Sequence, residues 1–265
     1  MAIIIISRAS YSHGRVVAEK VAEELNYKCV SREVISLAAE EYGVPEAWLK
    51  DAFETGPSIL DRFKHGKKKY IAYVRAALLE YAVQDNLVYH GLAGAFLLEG
   101  IPNILRVLIS ATMEERIKHM MEIRHVSEKE ARKAIERFDA ERKKWAKFFY
   151  GKDPWDINEY DLGLVIGRIT VEDAIKKILE TVKMPSFQIT DEVKKILKDE
   201  YLAAKVKSDL MNFYSDVEVT ADDGVVTIHL KRSIRQQDAI TEDIKEILME
   251  MPEVKEVRVN IIPVY

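Results

Sequence analysis

Hydrophobic and polar positions alternate along the first part of the chain in a repeating pattern of short buried strands and amphipathic helices. A run of isoleucines at residues 3–6 precedes small and polar residues and then a helical run at residues 16–25. Apolar segments recur at residues 27–30, 86–90 and 105–109, with helix-forming sequence between them. Strands that alternate with helices predict an α/β fold, a parallel sheet with helices on both faces.

A long charged segment follows the last of these strands. Residues 113–149 predict one or two helices, and the sequence Ser127-Glu-Lys-Glu130 is a capping box that favours a helix start. Its arginines and lysines are typical of a solvated helix with ion pairs between successive turns. The alternative interpretation is a lid whose arginines fold over a transferred phosphate.

The end of the chain has a different order of elements. Pro185-Ser186 interrupts the helical pattern, so we predict a first domain over residues 1–183, a linker at 184–189 and a second domain over 190–265. The second domain predicts a helix, two strands joined by a turn at Asp223-Gly224, a helix and a strand. This αββαβ order indicates a small α+β domain. Its last helix is predicted over residues 234–251.

The loop after the first strand is the best candidate for a ligand site. A helix N-terminus offers free backbone N–H groups and a positive dipole, which suit an anion. Against the phosphate-loop pattern G-x-x-x-x-G-K-[ST], Gly14 takes the second glycine, while Ala9, Arg15 and Val16 take the other three positions. Arginine can hold phosphate, whereas valine cannot bind a metal. On these residues alone, an ordinary βα unit without a ligand stays open.

Composition and charge narrow the choice of partners. The net charge of −4 gives no general attraction for nucleic acid, so we expect no DNA partner and only a local anion site. The single cysteine excludes an internal disulfide, and no residue is assigned as a metal ligand. No apolar run reaches membrane-spanning length and no secretory leader is visible. We therefore expect a cytoplasmic protein without a transmembrane segment.

Many short motifs follow one another in a fixed order along residues 1–182. They are Ile6-Ser7-Arg8, Gly14-Arg15, Arg32-Glu-Val-Ile35, Ile101-Pro-Asn-Ile104, Met121-Glu-Ile-Arg124, Asp139-Ala-Glu-Arg142, Phe148-Phe-Tyr-Gly151 and Tyr160-Asp-Leu162. Together they resemble the cytidylate kinase-like family of P-loop proteins. The resemblance implies a nucleoside monophosphate kinase fold with a phosphate-binding first loop and a mobile lid that carries arginines. It also implies ATP or another nucleotide as the ligand, with Mg²⁺ held only through bound phosphates.

The resemblance assigns candidate residues for phosphate or nucleotide binding in the loop and the lid. They are Ser12, His13, Gly14, Arg15, Arg124, Arg137 and Arg142. Several polar positions nevertheless depart from the family pattern. Tyr11 and His13 replace glycines, Ser31 replaces an aspartate, Leu92 and Lys147 replace arginines, and Val165-Ile166-Gly167 replaces a polar stretch. Because the departures fall on the ligand crevice, the sequence favours a degenerate active site, and no catalytic residue is assigned.

The second domain resembles a BON domain. The similarity rests on Val217-Glu-Val, Asp223-Gly-Val-Val-Thr-Ile and Pro252-Glu-Val-Lys-Glu-Val, although Lys231 stands where the family usually has glycine. The resemblance implies a small module that binds ligands, membranes or protein partners.

Two functional hypotheses follow. In the first, the protein is a regulatory or assembly module, a pseudokinase that binds a nucleotide or other phosphate ligand while the BON-like domain contacts a protein partner. In the second, it is an active nucleoside monophosphate kinase that transfers phosphate from ATP to CMP or a related nucleotide. A purely structural protein with an empty crevice stays open, as does a homo-oligomer formed through the predicted helix at residues 70–84.

Overall fold

The larger unit of the protein is built on a parallel sheet. The structure is a computed structural model that describes residues 2–54, 66–91, 93–233 and 237–263. Five strands pair in the order β2-β3-β1-β4-β5, every pair parallel. They are β1 (Ile3–Arg8), β2 (Lys28–Val30), β3 (Leu87–His90), β4 (Leu105–Ala111) and β5 (Leu162–Ile166). The predicted α/β fold is confirmed.

Helices cover both faces of this sheet. They are α1 (Gly14–Leu25), α2 (Glu33–Glu41), α3 (Glu46–Glu54), α4 (Gly66–Val83), α5 (Gly94–Leu97), α6 (Met113–Arg124), α7 (Glu128–Tyr150) and α8 (Val171–Thr181). Because successive side chains of a strand point to opposite faces, Ile3 and Ile5 enter the core shared with α2, α3 and α4. Ile4 and Ile6 enter the core shared with α1 and α8. The isoleucine run is thus a central strand that is buried on both faces.

The long charged segment divides into the two helices α6 and α7. Helix α6 ends at His125 in the left-handed conformation, and Ser127 caps α7. The backbone N–H of Glu130 donates to the Ser127 hydroxyl at 3.3 Å, and its carboxylate accepts from the Ser127 N–H at 2.9 Å. The predicted capping box is confirmed.

Strand β5 is the element that the sequence pattern does not predict. It lies at the edge of the sheet and pairs only with β4 among the described strands. Gly163 interrupts its apolar run, Gly167 follows it, and the Val165 side chain is 53% exposed. Such a short edge strand lacks the continuous apolar run that identifies the buried strands of the same sheet.

The second sheet confirms the predicted αββαβ order. Helix α9 (Asp191–Leu210) precedes β6 (Glu218–Asp222) and β7 (Val225–Arg232), and α10 (Gln237–Leu248) precedes β8 (Glu256–Pro263). Strand β7 is central, antiparallel to β6 and parallel to β8. The predicted start of the last helix, residues 234–236, lies outside the described residues.

Helix α9 contributes to two hydrophobic cores. Val193 and Leu197 pack in the core of the larger unit, whereas Val206 and Leu210 pack in the core of the small sheet. An ion pair of 2.5 Å between the Arg75 guanidinium of α4 and the Glu200 carboxylate of α9 crosses the same interface. The boundary at residues 184–189 therefore separates two sheets that share one helix, and the division of the chain into two domains there stays a prediction.

No helix among the described residues is long and apolar enough to cross a membrane.

Candidate functional site in the loop between β1 and α1

The loop between β1 and α1 lies at the carboxyl edge of the parallel sheet. Strand β1 has β3 on one side and β4 on the other, so the strand order reverses there. Ligands of open α/β sheets bind in the crevice at this switch point. Ser7 and Arg8 at the end of β1 form one wall of that crevice, which we call the loop crevice, and Gly91 and Ala93 line it from the segment after β3.

The loop backbone has left-handed conformations at the two positions where glycines of the family pattern are replaced. Tyr11 has φ 59° and His13 has φ 62°, values that cost roughly 1–3 kcal/mol each in a non-glycine residue. The buried Ser12 hydroxyl lies 2.9 Å from the Ala9 carbonyl and 3.1 Å from the Ile109 carbonyl. These bonds tie the loop to the end of β4 and help to offset the strain.

Helix α6 holds the same loop through a group that we call the histidine cluster, His13, Glu115 and His119. The His119 Nδ1 atom is 3.0 Å from the Tyr11 carbonyl oxygen, and the two imidazole rings stack with centroids 3.9 Å apart. The His13 Nε2 atom is 3.1 Å from the Glu115 carboxylate. The first helix of the predicted lid is thereby joined to the predicted phosphate loop.

Gly14 is the one family glycine that the loop retains, and packing requires it. A Cβ atom on Gly14 would lie 2.6 Å from the Arg8 Cβ atom, well inside van der Waals contact. The first residue of α1 can therefore approach the end of β1 only as glycine. The helix N-terminus is capped by the His13 backbone, with no side-chain hydrogen bond.

The predicted arginines occupy different surroundings. Arg124 donates from Nε to the Tyr11 hydroxyl at 3.3 Å, and Arg142 donates from Nη1 to the Arg8 carbonyl at 2.9 Å. Arg15 is 72% exposed and pairs with Glu19 at 2.7 Å, one turn along α1. The Arg137 guanidinium lies over the Phe138 ring at 5.4 Å and has no recorded contact with the loop.

Three polar residues at the carboxyl edge were not predicted as site residues. Arg8 ends β1, His90 ends β3, and Arg32 caps α2 after β2. The Arg8 Nε and His90 Nδ1 atoms are buried and have no hydrogen-bond partner among the described residues. Their position at strand ends is a sequence signal that could have identified them, because polar residues there face the crevice.

The electrostatics of this group favour an anion. Burial lowers the pKa of Arg8, and the nearby charges of Arg15 and Arg32 lower it further. Burial, followed by the charge of Arg8, lowers the pKa of His90 to about 4, so its imidazole is neutral at pH 7. Three guanidinium groups thus act on one region at the end of β1, a concentration of positive charge that an anion would stabilise.

The far side of the loop crevice is filled by aromatic side chains. The Trp145 indole of α7 donates to the Ala52 carbonyl at 2.6 Å and packs against Phe53 with ring centroids 5.2 Å apart. Tyr89 covers Gly91, where a Cβ atom would lie 2.6 Å from the tyrosine hydroxyl. The remaining space is about 30 Å³, room for one or two water molecules. Leu92, which stands where the family has arginine, lies outside the described residues.

A sequence model of the cytidylate kinase-like family matches residues 3–167, more than half of the chain. The chain belongs to the cytidylate kinase-like family. The matched segment contains the loop, the α6–α7 pair and all five strands of the parallel sheet. No curated protein matches the chain.

One solved structure supports the same fold for this cytidylate kinase-like protein, and two further structures resemble the chain more weakly. An uncharacterized protein from Eubacterium ventriosum ATCC 27560 is 22% identical, covers 69% of this chain and 98% of its own, and superposes with a TM-score of 0.53. Shikimate kinase from Bacteroides thetaiotaomicron is 10% identical over 69% of this chain and 99% of its own, with a TM-score of 0.43. TT1252 from Thermus thermophilus is 20% identical over 68% and 96%, with a TM-score of 0.44.

Membership of the family implies a nucleotide and Mg²⁺ as ligands. The residues of this chain fit the phosphate of a nucleotide better than they fit the metal ion. Buried, unpartnered Arg8 and His90 nitrogens at the end of the loop fit a phosphate or its bridging water. The position that usually supplies a hydroxyl to Mg²⁺ is Val16, whose side chain is apolar and exposed. Among the described residues, no group of three histidine, cysteine or acidic side chains could hold a metal ion. Any Mg²⁺ would depend on the phosphates and water for its ligands.

Proposed function

We propose that this cytidylate kinase-like protein binds a phosphate-bearing ligand, ATP or another nucleotide, at the loop between β1 and α1 without transferring its phosphoryl group. The observation that carries the proposal is the group of Arg8, Arg15 and Arg32 beside the neutral, buried His90. Arginine forks and helix N–H groups are the donors that proteins use for phosphate. The proposal makes the protein a regulatory or assembly module with a degenerate kinase site.

The contacts that now occupy the loop are ones that a phosphate can replace at small cost. Arg15 is exposed and its pair with Glu19 is a surface pair, which contributes about 0–1 kcal/mol. Rotation of Arg15 toward the loop would add a second cation beside Arg8. Arg124 and Arg142, already bonded to Tyr11 and the Arg8 carbonyl, would approach from the lid.

Phosphoryl transfer requires more than ligand binding. It needs a metal ion and cations placed around the transferred group, together with an acceptor held in line. Val16 provides no metal-binding hydroxyl, and the loop crevice has about 30 Å³ of free space between Trp145, Phe96 and their neighbours, too little for a nucleotide acceptor. Both features support binding without turnover.

The small second domain is part of the same proposal. Its αββαβ order supports a BON-like module that contacts a protein partner, and α9 supplies the connection to the kinase-like unit. Cytoplasmic location and homo-oligomer formation stay predictions.

An active nucleoside monophosphate kinase is the second candidate. The left-handed backbone at Tyr11 and His13 favours it, because both positions adopt a conformation that suits glycine although neither residue is glycine. In that case Mg²⁺ would be held through substrate phosphates and water.

Two assays on the full chain test the choice between these candidates. ATP should raise the melting temperature of the wild-type protein and shift that of Arg15→Ala much less. Arg132→Ala is the matched control, because Arg132 also forms an exposed pair with the acid one turn away on its own helix, Glu128, at 3.8 Å.

ADP release from ATP and Mg²⁺ with CMP, UMP, AMP or GMP as acceptor is measured on the same samples. We expect no acceptor-dependent ADP. Acceptor-dependent release that Arg15→Ala abolishes would establish the active kinase instead. An unchanged melting temperature with every nucleotide would refute the binding proposal.

A further inference from the structure

A second cavity lies on the other side of α7 from the loop crevice and borders Ala9 of the loop between β1 and α1. It has a volume of about 610 Å³ and we call it the β5 cavity. Asp139 and Lys143, one turn apart on α7, face the β5 cavity, whereas Arg142 and Trp145 face the loop crevice. The two spaces therefore lie on opposite sides of one helix.

The charged groups that border the β5 cavity already have partners. The Arg116 guanidinium donates two hydrogen bonds of 2.8 Å to the Asp139 carboxylate and a third, also 2.8 Å, to the Ser10 carbonyl. The Lys143 ammonium is 2.5 Å from the Asp153 carboxylate. A charged ligand would have to break one of these pairs, so the walls favour an uncharged one.

Much of the remaining wall consists of aliphatic side chains that are partly exposed to solvent. Ile157 is 52% exposed and Val165 is 53% exposed, although both line the same cavity. Gly163 creates this arrangement, because a Cβ atom there would lie 2.2 Å from the Ile157 Cδ1 atom. Neighbouring exposed aliphatic side chains in a concave wall are typical of a binding site.

Two polar groups in this wall are available to a ligand. Ser110 of β4 and Trp155 line the cavity, and no hydrogen bond is recorded for the serine hydroxyl or the indole N–H within the described residues. The indole also offers a flat apolar face, which binds aromatic rings by stacking. A hydroxyl and an indole N–H are enough to orient a small ligand without charge.

We propose that the β5 cavity binds an uncharged, planar aromatic or heteroaromatic molecule with one hydrogen-bonding edge. Its volume lies within the roughly 300–1,000 Å³ of small-molecule pockets. The aliphatic floor of β4 and β5 would contact the ring, and Ser110 and Trp155 would bond its polar edge. The β5 cavity adjoins the loop crevice through Trp155, which lines both, whereas Ser110 and the aliphatic floor line the β5 cavity alone.

Two fluorescent probes that share one ring system test the proposal on the full chain. N-phenyl-1-naphthylamine is uncharged, and 1-anilinonaphthalene-8-sulfonate adds a single sulfonate to the same rings. We expect the uncharged probe to bind at least tenfold more tightly. Energy transfer from tryptophan to this probe should fall in Trp155→Phe and persist in Trp48→Phe, since Trp48 of α3 does not line the cavity.

A variant that fills the β5 cavity distinguishes loss of the binding space from loss of folding. Ser110→Ile adds an aliphatic side chain on a strand at the cavity floor, so it should weaken the uncharged probe at least tenfold without lowering the melting temperature. Thr227→Ile is the matched control on β7 of the second sheet and should leave binding unchanged. Tighter binding of the sulfonate, no binding of either probe, or equal binding by a folded Ser110→Ile protein would each overturn the proposal.

Discussion

His90 shows how a single buried residue can set both charge and pH sensitivity in this protein. It ends a fully buried strand, and its neighbours include the guanidinium of Arg8 and, further along, the acids Glu19 and Glu33. Burial makes the charged imidazole unfavourable, and Arg8 adds repulsion. The neutral ring leaves the positive charge of the crevice to the arginines.

The first prediction concerns acid stability. The pKa of His90 is about 4 in the folded protein against an ordinary value of 6.5, so the unfolded chain binds a proton first as the pH falls. Stability from this residue is complete above pH 6.5 and is lost toward pH 4, by at most about 1.4 kcal/mol per pH unit for one proton.

His90→Leu should flatten that part of the stability curve. Urea unfolding between pH 4.5 and 7.5 measures the effect. His229→Leu is the control, because this strand histidine lies in the second sheet and is only half buried. Equal acid sensitivity of wild type and His90→Leu would contradict the burial argument.

At the scale of single residues, the sequence predicts which residues lie close together more reliably than it predicts how their side chains are oriented. The strand-to-helix pattern predicts residues 12–14 at the turn between β1 and α1, and the structure has Ser12 and His13 in the loop and Gly14 at the first position of α1. The Arg15 side chain points toward Glu19, and this orientation depends on whether the ion pair within α1 or a ligand at the loop binds the guanidinium more strongly. Sequence spacing alone cannot resolve that competition.

At the scale of elements, the packing of α2 and α4 against α9 brings acids together. Glu41 of α2 lies beside Glu80 of α4, and from α9 the Tyr201 hydroxyl lies 3.5 Å from the Glu80 carboxylate. Lys205 and Asp209 of α9 act on the same group with opposite signs. Burial, together with the hydrogen bond and charge of Glu80, raises the pKa of Glu41 to about 7.

The second prediction follows from this interface. A carboxyl group whose pKa rises from 4.5 to about 7 on folding stabilises the protein at low pH, and the contribution is lost as the pH rises through 7. Glu80→Gln removes the repulsion, so it should be more stable than wild type at pH 8 and no more stable at pH 5. Guanidinium unfolding at the two pH values measures the difference.

Glu192→Gln is the matched control for that experiment, because Glu192 is an exposed acid in the first turn of α9. A Glu80→Gln protein that is less stable than wild type at pH 8 would show that Glu80 contributes bonds that outweigh the repulsion. The contributions of His90 and Glu41 have opposite slopes over nearly the same pH range, so they should largely cancel between about pH 4.5 and 6.5 in the wild-type protein and separate only in the variants.

Elements with a strong pattern were predicted and those without one were not. The isoleucine run and the capping box at Ser127 specify β1 and α7 locally, which is why both agree with the structure. Strand β5 forms because β4 offers a free edge, a property of the assembled sheet that residues 162–166 do not carry themselves.

At the scale of the whole molecule, α9 is the feature that periodicity could not assign. Its apolar residues serve two cores, and a one-dimensional pattern does not say which neighbour each stripe will contact. The sequence therefore predicts two domains. The packing nevertheless continues across the predicted boundary through Val193 and Leu197.

The third prediction tests that continuity. Leu197 is buried in the core of the larger unit although it lies in the predicted second domain. Leu197→Ala should lower the free energy of unfolding by about 2–5 kcal/mol, the usual cost of a large-to-small change in a core. Lys198→Ala, at the next and exposed position, is the control.

Tryptophan fluorescence makes the readout specific. The three tryptophans, Trp48, Trp145 and Trp155, all lie before residue 184, so fluorescence reports on the larger unit. An unfolding curve that Leu197→Ala leaves unchanged would mean that the two parts of the chain are energetically separate.

The Arg75 side chain of α4 connects the shared helix α9 to the short helix α5. Its guanidinium donates to the Leu97 carbonyl at 3.0 Å, at the end of the short helix that follows β3, and also pairs with Glu200 of α9. The Arg75 guanidinium thus joins the short helix α5, whose Phe96 lines the loop crevice, to the helix that carries the second sheet. The two parts of the protein should consequently melt as one cooperative unit, with a single heat-absorption peak in calorimetry.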